Sequence, residues 1–495
     1  MGLAIEREDF TKKEYDAFSE RLYGCLSALK TQIRSPSFGL SPPMLGAELE
    51  NYIVDSKGEV LPLNKEIIHA ADSDNYTVEL NKFNLEVNFD PLPLNASAFS
   101  SLQTAMTNNL AALDSVANEF DAQIVPTGIL PTLRESHLTP EYMTDYARYR
   151  GLSKFLRNKR GENFHVHICG EDEIQLTSSH VALEGANTSF QYHLMVKPDE
   201  FADCFNVTQM VTPLLLAVSA NSPILLDKML WDETRIALFK QSIDSRVRSG
   251  FNWRQPARVT FGHGWVRDDA WEIFAETVAL YPPIFPILSN EDPMSIISAG
   301  GIPKLEELCL HMGTTWPWNR PVYSGADGGH VRIEMRALPA GPSTVDMCAN
   351  AAFATGLVMG LKDSIRDFLA VMPFRFAEYN FYRAAKRGLD ASIIWTRPSN
   401  HQLVELPIVD VIREMLPVAE RGLVSLGIAP EEIKMYLGII EARLDKMCTG
   451  ARWQRAMVKK FEEKCGRTEA CSQMFSRYMA LQKTAVPVSD WALSC

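Results

Sequence analysis

Two short stretches decide the fold: GAELENYIV at residues 46–54 and LEVNFD at residues 85–90. In both stretches carboxylates alternate with apolar residues. Because successive residues of a β-strand point to opposite faces, Glu48 and Glu50 share one face of the first strand. Glu86 has the same position in the second strand. We therefore predict a sheet that is acidic on one face and apolar on the other.

The same alternation recurs at residues 164–168, 189–193 and 331–336, and is weakest at the second of these. The polar side chains that these strands and the preceding segment would add are Glu79, His165, His167, Ser189, Gln191, His193, Arg332, Glu334 and Arg336. Any one such strand fits an antiparallel sheet with one wet face. Together they gather carboxylates that repel one another unless a cation compensates them.

Acids and arginines on one face indicate phosphoryl-transfer chemistry. Mg²⁺ takes oxygen ligands and is usually held by one or two carboxylates together with substrate phosphates. The guanidinium groups of Arg332 and Arg336 can bind phosphate or carboxylate in a bidentate manner. The chain has no Walker loop, GxGxxG fingerprint, HExxH helix or GxSxG elbow, which argues against the corresponding enzyme classes. A nucleotide site on a sheet face remains.

Helices are predicted between the strands. Apolar spacing indicates helices at about residues 12–34, 102–120, 208–239 and 343–371, the last with Ser343 as N-cap. Strands scattered among helices without a regular strand–helix–strand rhythm favour an α+β fold with a mostly antiparallel sheet covered by helices.

The domain prediction follows from the same pattern. We expect one catalytic domain over residues 1–400, with residues 1–40 as a helical lead-in. Residues 401–495 are expected to form an all-helical region packed on it, in which residues 451–481 show a long amphipathic pattern.

Composition argues against several partners. The net charge is −12 and the isoelectric point is near 5.4, so a nucleic acid is not an expected partner. The N-terminal residues lack the apolar segment of a secretory signal. The most apolar stretches, residues 211–226 and 347–361, fall short of a membrane span and are predicted to be buried helices. Scattered single cysteines fit a reducing compartment, so we expect a cytoplasmic protein with no membrane partner.

Eight motifs of the chain resemble the glutamate–cysteine ligase family, in its second type, which includes bacterial carboxylate–amine ligases. They are GAELENYIVD (46–55), VELNKFNLEVNFDPLPL (78–94), ENFHVHICG (162–170), SFQYHLMV (189–196), LLLAVSANSPIL (214–225), TTWPWNRP (314–321), HVRIEMRALPAGPSTVDMCANAAFATGL (330–357) and NFYRAAKRGLDA (380–391). Because the eight motifs occur in the order expected for this family, together they indicate the family more specifically than any single motif does.

The resemblance implies a fold of the glutamine synthetase and guanido kinase type, whose antiparallel sheet forms a funnel for ATP, two or three Mg²⁺ ions and glutamate. The implied metal ligands are Glu48, Glu50, Glu79, Glu86, His165 and Glu334. The implied catalytic residues are Arg336, Arg332 and Glu50. The implied contacts of substrate or nucleotide are His167, Gln191, Arg258, Arg383 and Arg387.

The implied reaction joins the γ-carboxylate of glutamate to an amine, cysteine first among the candidates, through an acyl phosphate made from ATP. A ligase that uses another carboxylate or amine is an alternative. Two other hypotheses stay open: a catalytically silent relative that binds a nucleotide or amino acid, and a guanidino-kinase-like phosphotransferase whose phosphorylated product is stable.

Overall fold

A computed structural model describes residues 5–246, 255–396 and 402–493 of the chain. Its helices are α1 (Lys12–Ile33), α2 (Asn64–Ala71), α3 (Ala98–Asn118), α4 (Ala147–Arg160), α5 (Phe201–Ser219), α6 (Thr234–Ser242), α7 (Trp271–Leu280), α8 (Pro293–Ser298), α9 (Glu306–Met312), α10 (Thr344–Leu361), α11 (Ile365–Leu369), α12 (Phe374–Arg387), α13 (Ile408–Ser425), α14 (Pro430–Asp445), α15 (Gly450–Glu462) and α16 (Arg467–Gln482). Its strands are β1 (Met44–Val54), β2 (Tyr76–Val78), β3 (Asn84–Asn88), β4 (Leu92–Pro93), β5 (Gln123–Val125), β6 (Phe164–Cys169), β7 (Glu173–Ser178), β8 (Phe190–Val196), β9 (Ile224–Leu225), β10 (Lys228–Met229), β11 (Val259–Thr260), β12 (Trp316–Pro317), β13 (Asn319–Ser324), β14 (His330–Met335), β15 (Ser392–Thr396) and β16 (Leu403–Pro407).

An eight-stranded antiparallel sheet forms the centre of the protein. The strand order is β13-β14-β8-β1-β3-β2, and β4 and β5 pair with opposite ends of the long strand β1. The register places Glu50 directly opposite Glu86 on β3, and Glu48 opposite Gln191 on β8. The architecture is α+β, as the sequence predicts.

One face of this sheet is apolar and packs on helices. Leu45 and Leu49 of β1, Val87 of β3 and Ile333 of β14 are buried in a core cluster with side chains of α3, α5 and α10. Helices α13 and α14 cover α10 in turn and share the same core cluster. Because this face is filled, the alternating residues of the same strands must face the other side.

Two helical segments, Phe201–Ser219 and Thr344–Leu369, are long and apolar enough to cross a membrane by length and composition. In the structure 94% and 89% of their most apolar windows are buried inside the protein. An α-helix that is apolar on all sides is typical of a protein interior as well as of a membrane span. The sequence prediction of a buried helix is confirmed for residues 347–361, whereas residues 211–226 are helical only as far as Ser219.

Several predicted elements are confirmed close to their expected bounds, among them α1, α3, β1, β6, β8 and β14. Ser343 caps α10 as predicted, because its side chain accepts a hydrogen bond from the backbone N–H of Asp346. The predicted strand over residues 85–90 is β3, which ends at Asn88.

The predicted single helix over residues 208–239 is wrong. Helix α5 ends at Ser219, and a short hairpin of β9 and β10 precedes α6. Pro223 lacks a backbone N–H and disfavours helical geometry in the residue before it. The buried amide of Asn221 is bound by tertiary partners, donating to the carbonyl of Ala340 at 2.8 Å. The helical pattern therefore spans a turn that local spacing does not reveal.

The expectation of an all-helical region over residues 401–495 is also wrong in detail. Strand β16 opens this region and pairs with β15. The amphipathic pattern over residues 451–481 forms two helices, α15 and α16, separated at Gly466. Both helices pack in a core cluster with Tyr52 and Val54 of β1.

Candidate active site

The polar face of the central sheet carries two groups of potential metal ligands. The acid cluster consists of Glu50, Glu79 and Glu86, and the Glu–His–Glu cluster consists of Glu48, His193 and Glu334. In each cluster one ligand atom from every residue lies within 4.8 Å of the others. Each cluster combines side chains from different strands or adjoining turns, so it exists only in the folded sheet.

The acid cluster concentrates three carboxylates at one point. Burial raises the pKa of Glu79 and Glu86 to about 8, and neighbouring carboxylates add to this rise. Burial also raises the pKa of Glu50, against the opposing influence of Arg336. A divalent cation would offset this repulsion, and carboxylate oxygens are the ligands that Mg²⁺ prefers. The donor set therefore fits Mg²⁺.

Neutral donors hold the oxygens of the acid cluster in place. Glu50 accepts hydrogen bonds from the backbone N–H of Ser189 at 2.7 Å and from the amide of Gln191 at 3.0 Å. Glu86 accepts from Asn88 at 3.1 Å. Such fixed second contacts orient metal ligands without neutralising them.

The Glu–His–Glu cluster has an unpaired nitrogen at its centre. Nε2 of His193 is buried and makes no hydrogen bond with the described residues. It lies 3.4 Å from Glu48 and 3.9 Å from Glu334. Burial lowers the pKa of His193 to about 3, so the ring is neutral at physiological pH, the form that ligates metals. Burial and the neighbouring Glu86 and Glu334 carboxylates raise the pKa of Glu48 to about 8. These donors also fit a divalent cation.

Arginines connect the two clusters. Arg336 donates to Glu334 at 2.6 Å and to the side-chain oxygen of Gln191, which in turn donates to Glu50. Arg320 on β13 forms a bidentate pair with Glu334. Although burial opposes ionisation, Arg320 and Arg336 hold the pKa of Glu334 well below its usual range. This carboxylate is charged throughout the physiological range.

A cavity of about 470 Å³ opens beside the Glu–His–Glu cluster. Arg332 lines it and donates from Nε to Nδ1 of His193 at 2.9 Å. Apolar side chains of Met44, Phe89 and Met195 line other parts of its wall. Its size is that of a small-molecule site.

The structure thus brings together most of the predicted site. Eight of the residues predicted from the sequence meet on the polar face: Glu48, Glu50, Glu79, Glu86, Gln191, Arg332, Glu334 and Arg336. Their roles stay predictions, because position alone does not establish them.

The expectation that residues 164–168 share this polar face is wrong. Strand β6 pairs with β7 in a separate two-stranded sheet. There His165 contacts Thr177 at 3.2 Å, and His167 contacts Glu173 at 2.8 Å. Within the described ranges, no contact joins either histidine to the two clusters. The position next to Glu48 and Glu334 belongs instead to His193, on β8.

The three remaining predicted arginines also have other surroundings. Arg258 is buried among aromatic rings and donates to the carbonyl of Thr314 at 2.9 Å, and burial lowers its pKa to about 10. Arg383 pairs with Glu405 at 2.9 Å. Arg387 is exposed at the end of α12. Their proposed contacts with substrate or nucleotide stay predictions.

Sequence reasoning missed other residues near the clusters. Arg320 lies opposite Glu334 in the β13–β14 register, a relation that only the strand pairing reveals. Glu184 lies in a 3₁₀ turn (Glu184–Ala186) outside the sheet. Burial and the neighbouring Glu50 raise its pKa to about 8. No period-two pattern marks a residue in such a turn.

Comparison with known proteins identifies the family of this chain. The sequence profile of the glutamate–cysteine ligase family 2 matches residues 44–473. The chain belongs to this family. The glutamate–cysteine ligase family 2 is a family of ATP-dependent ligases.

One relative of this family member is a Nocardia farcinica (strain IFM 10152) protein named "Putative glutamate--cysteine ligase 2-2", which is 33% identical over 126 residues. The match covers 25% of this chain and 30% of that relative's length. The crystal structure of a glutamate–cysteine ligase from Francisella tularensis in complex with AMP superposes with a TM-score of 0.55 at 12% identity. It covers 92% of this chain and 91% of that one, and at this identity the likeness shows the fold alone.

Proposed function

We propose that this family member is an ATP- and Mg²⁺-dependent ligase that forms an amide between the γ-carboxylate of glutamate and an amine, with cysteine as the first candidate. The reaction would pass through an acyl phosphate. The observation that carries the proposal is the arginine-linked pair of metal-ligand clusters on one sheet face. Membership in a ligase family supports it.

The funnel-shaped sheet of the glutamine synthetase type is part of this proposal. The acid cluster would hold one Mg²⁺ ion and the Glu–His–Glu cluster another, which accounts for two of the two or three ions that the resemblance implies. When bound, these ions would neutralise phosphate charge and orient the phosphate groups.

The cavity beside Arg332 is the proposed nucleotide site. Its apolar wall suits a base, and the phosphates would then lie toward Glu48 and His193, which line the same cavity. The Arg332 guanidinium offers two parallel donors to a phosphate group.

Glutamate would lie at the other end of the face, beside the acid cluster. Arg148 of α4 is exposed there and attracts Glu79 and Glu184 electrostatically, so it offers a donor for an amino-acid carboxylate. Glu184 offers an acceptor for an ammonium group. We place the two substrates at opposite ends because Arg336 then lies between them.

The proposed reaction has two steps. An oxygen of the γ-carboxylate attacks the γ-phosphorus, and the bond from that phosphorus to the ADP oxygen breaks. The amine nitrogen then attacks the acyl carbon, loses a proton, and phosphate leaves with the former carboxylate oxygen. Arg336, fixed by Glu334 and Gln191, would stabilise the charge that develops on the transferred group.

We also propose that the protein acts in the cytoplasm on small molecules. The eight cysteines that the structure describes are free thiols, which suits a reducing compartment.

The test is phosphate release from ATP and Mg²⁺ with glutamate, with and without a panel of amines that includes cysteine. Wild type is compared with Glu48→Gln and with a matched exposed control, Glu119→Gln. Amine-dependent release that is lost only in Glu48→Gln would support the ligase. A stable phosphorylated product without amine would instead indicate a phosphotransferase. No release despite measured ATP binding would indicate a silent relative.

A further inference from the structure

A third group of potential metal ligands lies outside the polar sheet face, on the β6–β7 hairpin. It consists of His167, Cys169 and Glu173, and we call it the hairpin trio. Nε2 of His167 is 2.8 Å from Oε1 of Glu173 and 3.3 Å from Sγ of Cys169. All three residues are exposed to solvent.

Strand geometry brings the trio together. His167 and Cys169 are two residues apart on β6 and therefore project from the same face. Cys169 is directly opposite Glu173 in the antiparallel register. Cross-strand neighbours of this kind have Cβ atoms roughly 4.5–5.5 Å apart, close enough to bind one metal ion together. The arrangement is thus set by two paired strands and not by a loop.

With a neutral His167, Nε2 can donate to one of these neighbours or accept from the other, but it cannot do both. Nε2 of a neutral imidazole is either a donor or an acceptor. As a donor to Glu173 it cannot also accept the thiol proton of Cys169. As an acceptor from Cys169 it presents its lone pair to the carboxylate of Glu173. A cation at the point that the three atoms share would satisfy all of them.

We propose that the hairpin trio binds a divalent transition-metal cation that prefers thiolate, with Zn²⁺ as the reference ion. One sulfur, one nitrogen and one oxygen ligand match the donors of zinc sites, whereas Mg²⁺ prefers oxygen alone. Usual Zn²⁺ bond lengths at tetrahedral angles require sulfur–nitrogen and nitrogen–oxygen separations of about 3.6 Å and 3.4 Å. The observed contacts need to open by only about half an ångström. The fourth position faces solvent and is open to water or an external ligand.

Neighbouring contacts hold the trio in position. The amide of Gln175 donates to Glu173 at 2.9 Å, and the indole N–H of Trp231 donates to the backbone carbonyl of Cys169 at 3.0 Å. The backbone N–H of His167 donates to the side chain of Gln241 at 2.7 Å. Such supporting hydrogen bonds orient metal ligands and tune affinity. This site does not depend on the proposed ligase activity.

The test is titration of the full-length protein with Co²⁺ under reducing conditions and saturating Mg²⁺. Mg²⁺ competes at the oxygen-rich clusters, and only a thiolate ligand gives a sulfur-to-cobalt charge-transfer band. We expect this band to saturate at one ion per chain and to disappear on addition of Zn²⁺. Cys169→Ser should abolish it. His167→Ala and Glu173→Gln should weaken Co²⁺ binding at least about tenfold.

Matched controls separate the trio from the other thiols and imidazoles. Cys465→Ser and His180→Ala change residues outside the described metal-ligand groups and should leave the band and the affinity unchanged. With Mg²⁺ saturating the two clusters on the sheet face, Zn²⁺ should also raise the melting temperature of wild type more than that of Cys169→Ser, a comparison that does not rely on absorption. Absence of the band in wild type, its persistence in Cys169→Ser, or unchanged affinity in Glu173→Gln would overturn the proposal.

Discussion

Nε of Arg332 donates a hydrogen bond to Nδ1 of His193 at 2.9 Å. A neutral imidazole carries one proton, so in this arrangement that proton lies on Nε2, between the carboxylates of Glu48 and Glu334. A cation in this cluster needs the lone pair of Nε2. The proton must then lie on Nδ1, and Arg332 must give up its bond to His193. Cation binding thereby frees a guanidinium that lines the neighbouring cavity.

We therefore expect Arg332→Met to have two opposite effects. Mn²⁺ should bind severalfold more tightly without nucleotide, because the competing donor and a positive charge are gone. The KM for ATP should rise at least about tenfold, because a bidentate phosphate contact is lost. Calorimetric Mn²⁺ titration and steady-state kinetics measure the two effects. Arg366→Met, which breaks an exposed pair with Asp203, is the control. Changes of the same sign in both constants would contradict this coupling.

Removing one charge from the acid cluster should raise the metal-free melting temperature and lower the activity. Glu86→Gln relieves repulsion with Glu50, directly opposite it in the sheet. Without metal and above pH 8, where Glu86 is ionised, the variant should melt several degrees higher than wild type. Added Mg²⁺ should raise its melting temperature less than that of wild type, and its activity should fall at least about a hundredfold. Differential scanning fluorimetry and phosphate release test this, with Glu119→Gln as control. A lower metal-free melting temperature would contradict it.

Metal-free stability should fall as pH rises from about 4.5 to about 8. The pKa values of Glu48, Glu79 and Glu86 are raised from 4.5 to about 8 in the fold, so the folded state binds protons that the unfolded state has lost. Proton binding by these groups stabilises the folded state fully below the pKa that they have in the unfolded chain. This stabilisation is lost as the pH rises through the pKa that they have in the folded protein. Added Mg²⁺ should therefore stabilise more at pH 8 than near pH 5. Melting curves with and without Mg²⁺ across this range test the sign. An Mg²⁺ effect that is larger at the acidic end would contradict it.

A buried ion pair fastens the C-terminal helices to the core. Arg443 of α14 binds Asp346 of α10 at 2.7 Å, with both side chains almost fully buried. Asp346→Ala leaves a buried guanidinium without its charge partner and should lower the free energy of unfolding by about 3–5 kcal/mol. Asp490→Ala breaks an exposed pair with Lys446 and should cost less than about 1 kcal/mol. Denaturant unfolding compares them, and equal losses would contradict the account.

The alternation of residues predicts the polar face because it is a local property of each strand. Glu48 and Glu50 lie two apart on β1, and no tertiary contact alters which side they share. Pairing between strands is not local. Residues 164–168 carry the same alternation, yet β6 pairs with β7 in a separate sheet, whereas the weaker pattern on β8 contributes His193.

Other features of the site depend on contacts distant in sequence. Arg320 becomes part of the site because β13 folds back onto β14, and Glu184 approaches Glu50 through a turn. At the break after α5, the side chain of Asn221 donates to Ala340 and Tyr478, which lie more than a hundred residues away. Such contacts cannot be inferred from the periodicity of one segment.

The most direct test of the central claim follows one oxygen atom. Glutamate labelled with a heavy oxygen isotope in its γ-carboxylate is incubated with ATP, Mg²⁺ and the accepted amine, and phosphate and nucleotide are analysed by mass spectrometry. Passage through an acyl phosphate predicts one labelled oxygen in each inorganic phosphate, together with ADP and the amide. Amide formation with unlabelled phosphate, or with the label in AMP, would contradict the account.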